Sequence, residues 1–138
     1  MLKKMPMKNH ENILVFYKKM PTYNPQMTEN KAYFHGFNHK NNSTNYNDQI
    51  AVTTENTGQR YPLSIQFFKR DSQFGKSYAP TQKPIALFEY LIKTYTNEGD
   101  LVLDNCIGSG TTAIAALNTG RFFIGIEKEQ QYVDIANE

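Results

Sequence analysis

The run Leu103-Asp104-Asn105-Cys106-Ile107-Gly108-Ser109-Gly110-Thr111-Thr112 constrains this chain more than any other feature of its 138 residues. Leu101-Val102-Leu103 before it is a short apolar stretch of the kind that forms a buried strand. Thr111 to Leu117 after it reads as a helix with small residues facing inward. Thr119-Gly120 then turns the chain into a second apolar stretch, Phe122-Phe123-Ile124-Gly125-Ile126, and a last helix starts near Glu129. Upstream, Pro84 suits a helix's first turn. Ile85, Phe88, Leu91, Ile92 and Tyr95 follow at three- and four-residue spacing, which gives one apolar face, and Asn97-Glu98-Gly99-Asp100 ends that helix. The order α-β-α-β-α predicts an α/β fold, a parallel sheet with crossover helices.

Ligands of open parallel sheets bind beyond the carboxyl ends of the strands. Asp104 stands at one such end and Glu127 at the next. The glycines between them allow a sharp turn and close approach of the backbone to a ligand, and the following helix offers free N–H groups. Three readings compete: a tight strand-to-helix turn with no ligand, a dinucleotide site, and a site for S-adenosylmethionine (AdoMet). Gly108-x-Gly110-x-x-Ala113 meets the loose dinucleotide pattern, whereas the Gly-Lys-Ser/Thr ending of a phosphate-binding P-loop is missing. Charge favours AdoMet. A carboxylate at Asp104 repels a pyrophosphate but attracts the ammonium and sulfonium of AdoMet. Glu127 can accept hydrogen bonds from the ribose hydroxyls of either ligand and does not discriminate.

The segment Asp104 to Thr112 resembles the AdoMet-binding motif of the DNA amino-methyltransferases, which modify adenine N6 or cytosine N4. That motif typically reads Asp-Pro-Phe-x-Gly-Ser-Gly-Thr-Thr, and here Asn105 and Cys106 stand in place of its Pro-Phe pair. Pro80-Thr81-Gln82-Lys83-Pro84 matches a family segment that encloses the methionine end of the cofactor, and Ile124-Gly125-Ile126-Glu127 matches the strand whose acidic residue holds the ribose. The resemblance thus implies AdoMet as cofactor and a partial Rossmann-like fold. Asp104, Asn105, Cys106, Gly108, Ser109, Gly110 and Thr111 would form the cofactor-binding loop. Thr81, Gln82 and Lys83 would close over the amino-acid end, Glu127 would hold the ribose, and Lys128 would join the cofactor-binding set. The motif order suggests the permuted subclass, whose catalytic motif lies N-terminal to the AdoMet motif.

The same resemblance divides the chain into three parts. Residues 1–19 would end the catalytic half of the sheet, with Ile13-Leu14-Val15-Phe16-Tyr17 as an N-terminal strand. Residues 20–79 would form an irregular, variable region facing the target sequence, and 80–138 the AdoMet-binding segment. Tyr61 to Phe68 reads as a further strand and Asn38 to Asn47 as an exposed loop. Aromatic residues (Tyr23, Tyr33, Phe34, Phe37, Tyr46) and basic ones (Lys31, Lys40, Arg60, Lys69, Arg70) in this region suit base stacking and phosphate contact, although each singly also reads as local packing. His35 and His39 lie four apart without a carboxylate or cysteine to complete a metal site, so no metal is expected.

The family's chemistry needs Asp/Asn/Ser-Pro-Pro followed by an aromatic residue, whose groups hold the target amino nitrogen and stack on the flipped base. The six prolines here are Pro6, Pro21, Pro25, Pro62, Pro80 and Pro84, and no two are adjacent. Tyr23-Asn24-Pro25-Gln26 is the nearest approach. No catalytic residue is therefore assigned. The expectation is a chain that binds the methyl donor and DNA but is inactive alone, with a separate chain as a candidate source of the catalytic half. A DNA- or partner-binding remnant and a small dinucleotide-binding domain are the alternatives.

Charge distribution agrees with a polyanionic partner. Residues 1–80 carry eleven Lys and Arg against five acidic residues, whereas 81–138 carry four against eight. A basic face suits duplex DNA, and an acidic segment suits a cationic cofactor. No apolar run approaches the length needed to span a bilayer, no signal-peptide pattern follows the basic N-terminus, and one cysteine forms no internal disulfide. A cytoplasmic location is expected.

Overall fold

A computed structural model describes residues 9–36, 53–70 and 82–137. Pro80 and Thr81, and the loop expected at Asn38 to Asn47, lie outside the described residues. In chain order the elements are β1 (Thr28–Glu29), β2 (Tyr33–Gly36), β3 (Thr53–Asn56), β4 (Gln59–Arg60), α1 (Ile85–Tyr95), β5 (Leu101–Asp104), α2 (Thr111–Asn118), β6 (Phe122–Gly125) and α3 (Gln130–Ala136).

The C-terminal segment has the expected order. β5 and β6 pair in parallel, with Leu101 opposite Phe122 and Asp104 opposite Gly125, and α2 forms the crossover between them. α1 begins after Pro84, whose extended backbone and fixed φ start the helix without a side-chain cap. It packs against α2 through Ile92, which is buried with Ala115 and Ala116, while Ile85, Phe88 and Val102 close the cluster. Alanines on α2 let the two helices approach closely; Ala113 completes its buried face.

The start of the sheet is fixed by hydrogen bonds around Arg121. Its guanidinium donates from Nε to Thr96 Oγ1 (3.0 Å) and from Nη2 to the Thr96 carbonyl (2.9 Å) at the end of α1. Its Nη1 donates to the Thr119 carbonyl after α2. One buried cation thus serves the C-terminal carbonyls of two helices, where the helix dipoles favour positive charge. Asn24 adds to the same end of α1. Its Nδ2 donates to the Thr96 carbonyl at 3.0 Å and to Asn97 Oδ1 at 3.2 Å, its backbone N–H donates to the Thr94 carbonyl, and Tyr23 packs on Tyr95.

The N-terminal part departs from expectation. Ile13 to Tyr17 forms no strand, and all five side chains are exposed. A strand needs a neighbour to take its backbone hydrogen bonds, and no strand pairs with this stretch among the described residues. Tyr61 to Phe68 fails for the same reason: β4 stops at Arg60, and Leu63, Ile65 and Phe67 face solvent. Strands form here where polar residues allow short antiparallel pairings instead. β1 pairs with β4, and β2 pairs with β3, with Tyr33 opposite Asn56. Arg60 joins the two pairs, stacking over the Tyr33 ring at 4.8 Å and donating to Asn56 Oδ1 and the Lys31 carbonyl.

Candidate functional site

Asp104 ends β5, and its carboxylate organises the loop that follows. Oδ1 accepts the Cys106 N–H at 3.0 Å, and Oδ2 accepts the hydroxyl of Thr112 in the first turn of α2. The loop thereby closes on both sides of one negative charge. Gly108 and Gly110 both have positive φ (57° and 91°). A Cβ at Gly110 would also sit a tight 3.2 Å from Ala136 Cβ on α3, which adds to the preference its positive φ sets for glycine. Ile107 lies on β6, where a Cβ at Gly125 would collide with its Cδ1 at 2.4 Å, and its N–H donates to the Ile126 carbonyl.

Glu127 follows β6 and reaches back to this loop. Its Oε2 accepts the Gly108 N–H at 2.9 Å, while Oε1 accepts the N–H groups of Lys128 (2.9 Å) and Glu129 (3.0 Å). The N–H of Glu129 leads the effects that hold this carboxyl below the ordinary Glu value, with the Gly108 and Lys128 N–H groups and the Lys128 charge adding to it against a desolvation cost. A carboxylate offers about four lone-pair sites, and the loop's own backbone occupies three. Glu127 is thus an ionised clamp between the two strand-end loops, with capacity left for one further donor.

Gln82 and Lys83 bring the segment before α1 to the same place. They line a cleft of about 110 Å3 together with Phe88, Asp104, Cys106, Ile107, Gly108, Ser109, Thr111 and Thr112. The structure therefore gathers most of the sequence-expected set around one opening. Asn105, Gly110, Glu127 and Lys128 do not line it, although Glu127 is tied to it through the Gly108 N–H, and Thr81 lies outside the described residues. Thr112 was not in the expected set. Its place at the end of the Gly108-Ser109-Gly110-Thr111-Thr112 run marks it in the sequence, but its bond to Asp104 emerges only from the fold.

The donor set suits a ligand with a cationic end. Asp104 presents carboxylate oxygens, Lys83 presents the single cation among the lining residues, and a Cβ at Gly108 would meet nothing within 4 Å, so the loop's surface there is open. Small-molecule sites usually run from about 300 Å3 upward, so the cleft has room for one end of such a ligand. Among the described residues no group of three metal-ligating side chains is present, and no helix is long and apolar enough to cross a membrane.

Comparison with known proteins agrees with the motifs. The pattern of the DNA methylase family of N6 and N4 methyltransferases matches residues 3–138, and the chain belongs to that family. It is 51% identical over 59 residues to the type II methyltransferase M2.DpnII of Streptococcus pneumoniae, a stretch that is 43% of this chain and 22% of the relative. With the type II methyltransferase M.BglI of Bacillus subtilis it shares 54% identity over 55 residues, 40% of this chain and 16% of the relative. This chain thus has about half the length of the first relative or less than half that of the second. The crystal structure of the M1.HpyAVI–SAM complex shares 36% identity over 63% of this chain and 47% of that one, with a TM-score of 0.48.

Proposed function

We propose that this chain is the AdoMet-binding part of a DNA methyltransferase of the restriction–modification or phage type, methylating an exocyclic amino group of duplex DNA, adenine N6 in preference to cytosine N4. The observation that carries the reading is Asp104, held at the end of β5 by the Cys106 N–H and the Thr112 hydroxyl and lining the same cleft as Lys83. An ammonium and a carboxylate on one ligand end match that pair of charges. The cofactor supplies an electrophilic methyl group on sulfonium. Asp104 holds the ammonium, Lys83 with Gln82 and Thr81 covers the carboxylate, the Gly108–Gly110 loop shapes the floor, and Glu127 gives its remaining lone pair to a ribose hydroxyl. Cys106, Ser109 and Thr111 complete the lining, with Asn105 and Lys128 beside it in sequence.

No residue of the chain is assigned to methyl transfer. The adjacent prolines of the family's catalytic motif are absent from the sequence, and Asn24, in its nearest approach, spends its amide on the end of α1. The chain alone is accordingly inactive. A separate chain is one candidate source of the catalytic half, residues 20–79 face the DNA, and the site of action is the cytoplasm.

Calorimetric titration with AdoMet tests the reading directly. Micromolar binding is expected, with loss of at least tenfold in Asp104→Ala and in Glu127→Ala; equal binding by the substituted chains would remove the residue assignment. Methyl transfer from tritiated AdoMet to mixed-sequence duplex DNA by the chain alone would overturn the claim of inactivity.

A further inference from the structure

We infer that Glu11 is a positioning residue for the amino-acid end of the cofactor, acting through Lys83. The inference rests on the AdoMet reading above and goes one residue beyond it. Lys83 is the single cation among the described residues that line the cleft, and its Nζ lies 2.6 Å from Glu11 Oε2. Seventy-two positions of sequence separate the pair, so the contact is made by the fold and not by chain proximity. Glu11 is not among the residues that line the cleft, and it meets the lining at Lys83.

A lysine at a cleft edge samples many rotamers, and ordering it for a ligand loses that freedom. Pairing with Glu11 restricts the ammonium before any ligand arrives. An ammonium has three N–H donors, and the pairing leaves donors for a second carboxylate. Both side chains remain partly open to water, at 42% and 70% exposure, so the cofactor's carboxylate can join Lys83 without burying a new charge. Asp104 on the strand end then meets the ammonium of the same ligand. The three residues present alternating charge, negative, positive, negative, to a zwitterionic end group. The segment at residues 9–17, which forms no helix or strand, gains a function in this arrangement: it carries the carboxylate that orders the lysine.

An exposed ion pair changes an equilibrium by no more than about fivefold, which sets the size of the effect. The full chain, Glu11→Gln, Lys83→Met and the double variant are titrated with AdoMet and with 5′-methylthioadenosine, which has the same nucleoside and sulfur but no amino-acid end. Glu11→Gln is expected to weaken AdoMet about threefold and to leave 5′-methylthioadenosine unchanged. It should have no further effect when Lys83 is already Met. The AdoMet difference should vanish as salt rises from about 20 mM to about 500 mM, because the screening length shrinks to a few ångströms. Equal weakening of both ligands, or unchanged or tighter AdoMet binding by Glu11→Gln, would overturn the inference while leaving the cofactor reading intact. Binding of neither ligand by the unaltered chain would overturn both.

Discussion

Two carboxylates at the strand ends show how one residue type is used in two ways. Asp104 shares its oxygens between one backbone N–H and one hydroxyl, so much of its charge still faces the cleft. Thr112→Val removes the hydroxyl at nearly constant volume and frees the carboxylate to rotate. A neutral-to-charged hydrogen bond contributes roughly 1.5–3 kcal/mol. AdoMet affinity is expected to fall about tenfold in Thr112→Val and to be kept in Thr112→Ser, read by calorimetry. Glu127 behaves differently because its donors are the loop's own N–H groups. Its carboxyl is held below the ordinary 4.5 when the clamp is formed, so the clamp's stabilisation is complete above that value and is lost as pH falls through the lowered folded value. The Gly108 amide resonance should therefore stay constant from neutral pH down to the ordinary Glu range and shift only below it. A Glu127→Gln chain should show no such titration; a Gly108 midpoint above 4.5 would contradict the clamp.

At the scale of elements, Arg121 does the most to join separate pieces. It is 8% exposed and donates to groups at the ends of both α1 and α2. Arg121→Lys keeps the charge but not the planar fork that serves these acceptors together, so it is expected to destabilise the chain nearly as much as Arg121→Met, by roughly 2 kcal/mol in urea unfolding. Full rescue by Lys would show that charge alone matters at this position. The helices and the parallel strand pair were legible in the sequence because each carries its own period or breaker: Pro84 before α1, the apolar spacing from Ile85 to Tyr95, Gly108 and Gly110 before α2, and Gly120 before β6. Ile13 to Tyr17 and Leu63 to Phe67 carry strand patterns just as clear and form none. Apolar alternation reports what a segment can bury, whereas a strand also requires a partner, and no sequence window contains that information. The antiparallel pairs were illegible for the converse reason: β1 and β4 are two residues each, mostly polar, and held by backbone turns and Arg60 instead of by an apolar face. The site follows the same division. Its loop glycines and Asp104 are local and readable, but the Glu11–Lys83 and Thr112–Asp104 contacts depend on tertiary placement.

For the molecule as a whole, the decisive quantity is apolar surface. α1 and α2 cover one face of the β5–β6 pair, while Leu101, Leu103, Phe122 and Ile124 on the other face are exposed, Phe122 by 69%. Parallel sheets are normally covered on both faces. Among the described residues the buried apolar side chains are Ile92, Ala113, Ala115 and Ala116 alone. A chain with so little buried cannot offset its conformational entropy by a wide margin. Its unfolding alone should be broad and complete well below about 60 °C, and it should bind a hydrophobic dye in the native state. A single sharp transition above that temperature, in a chain shown to be monomeric by sedimentation, would contradict the exposed face. If a second chain carries the catalytic half, mixing the two should quench the dye signal and raise the midpoint, because a partner that binds only the folded form stabilises it by mass action. Leu103→Asp separates this from general destabilisation. Its side chain lies on the open face and away from the Ile92–Ala116 core, so the isolated chain should unfold as before while the partner-induced rise disappears. An unchanged rise in Leu103→Asp would place the partner elsewhere on the surface, and the open sheet face would then have no part in assembly.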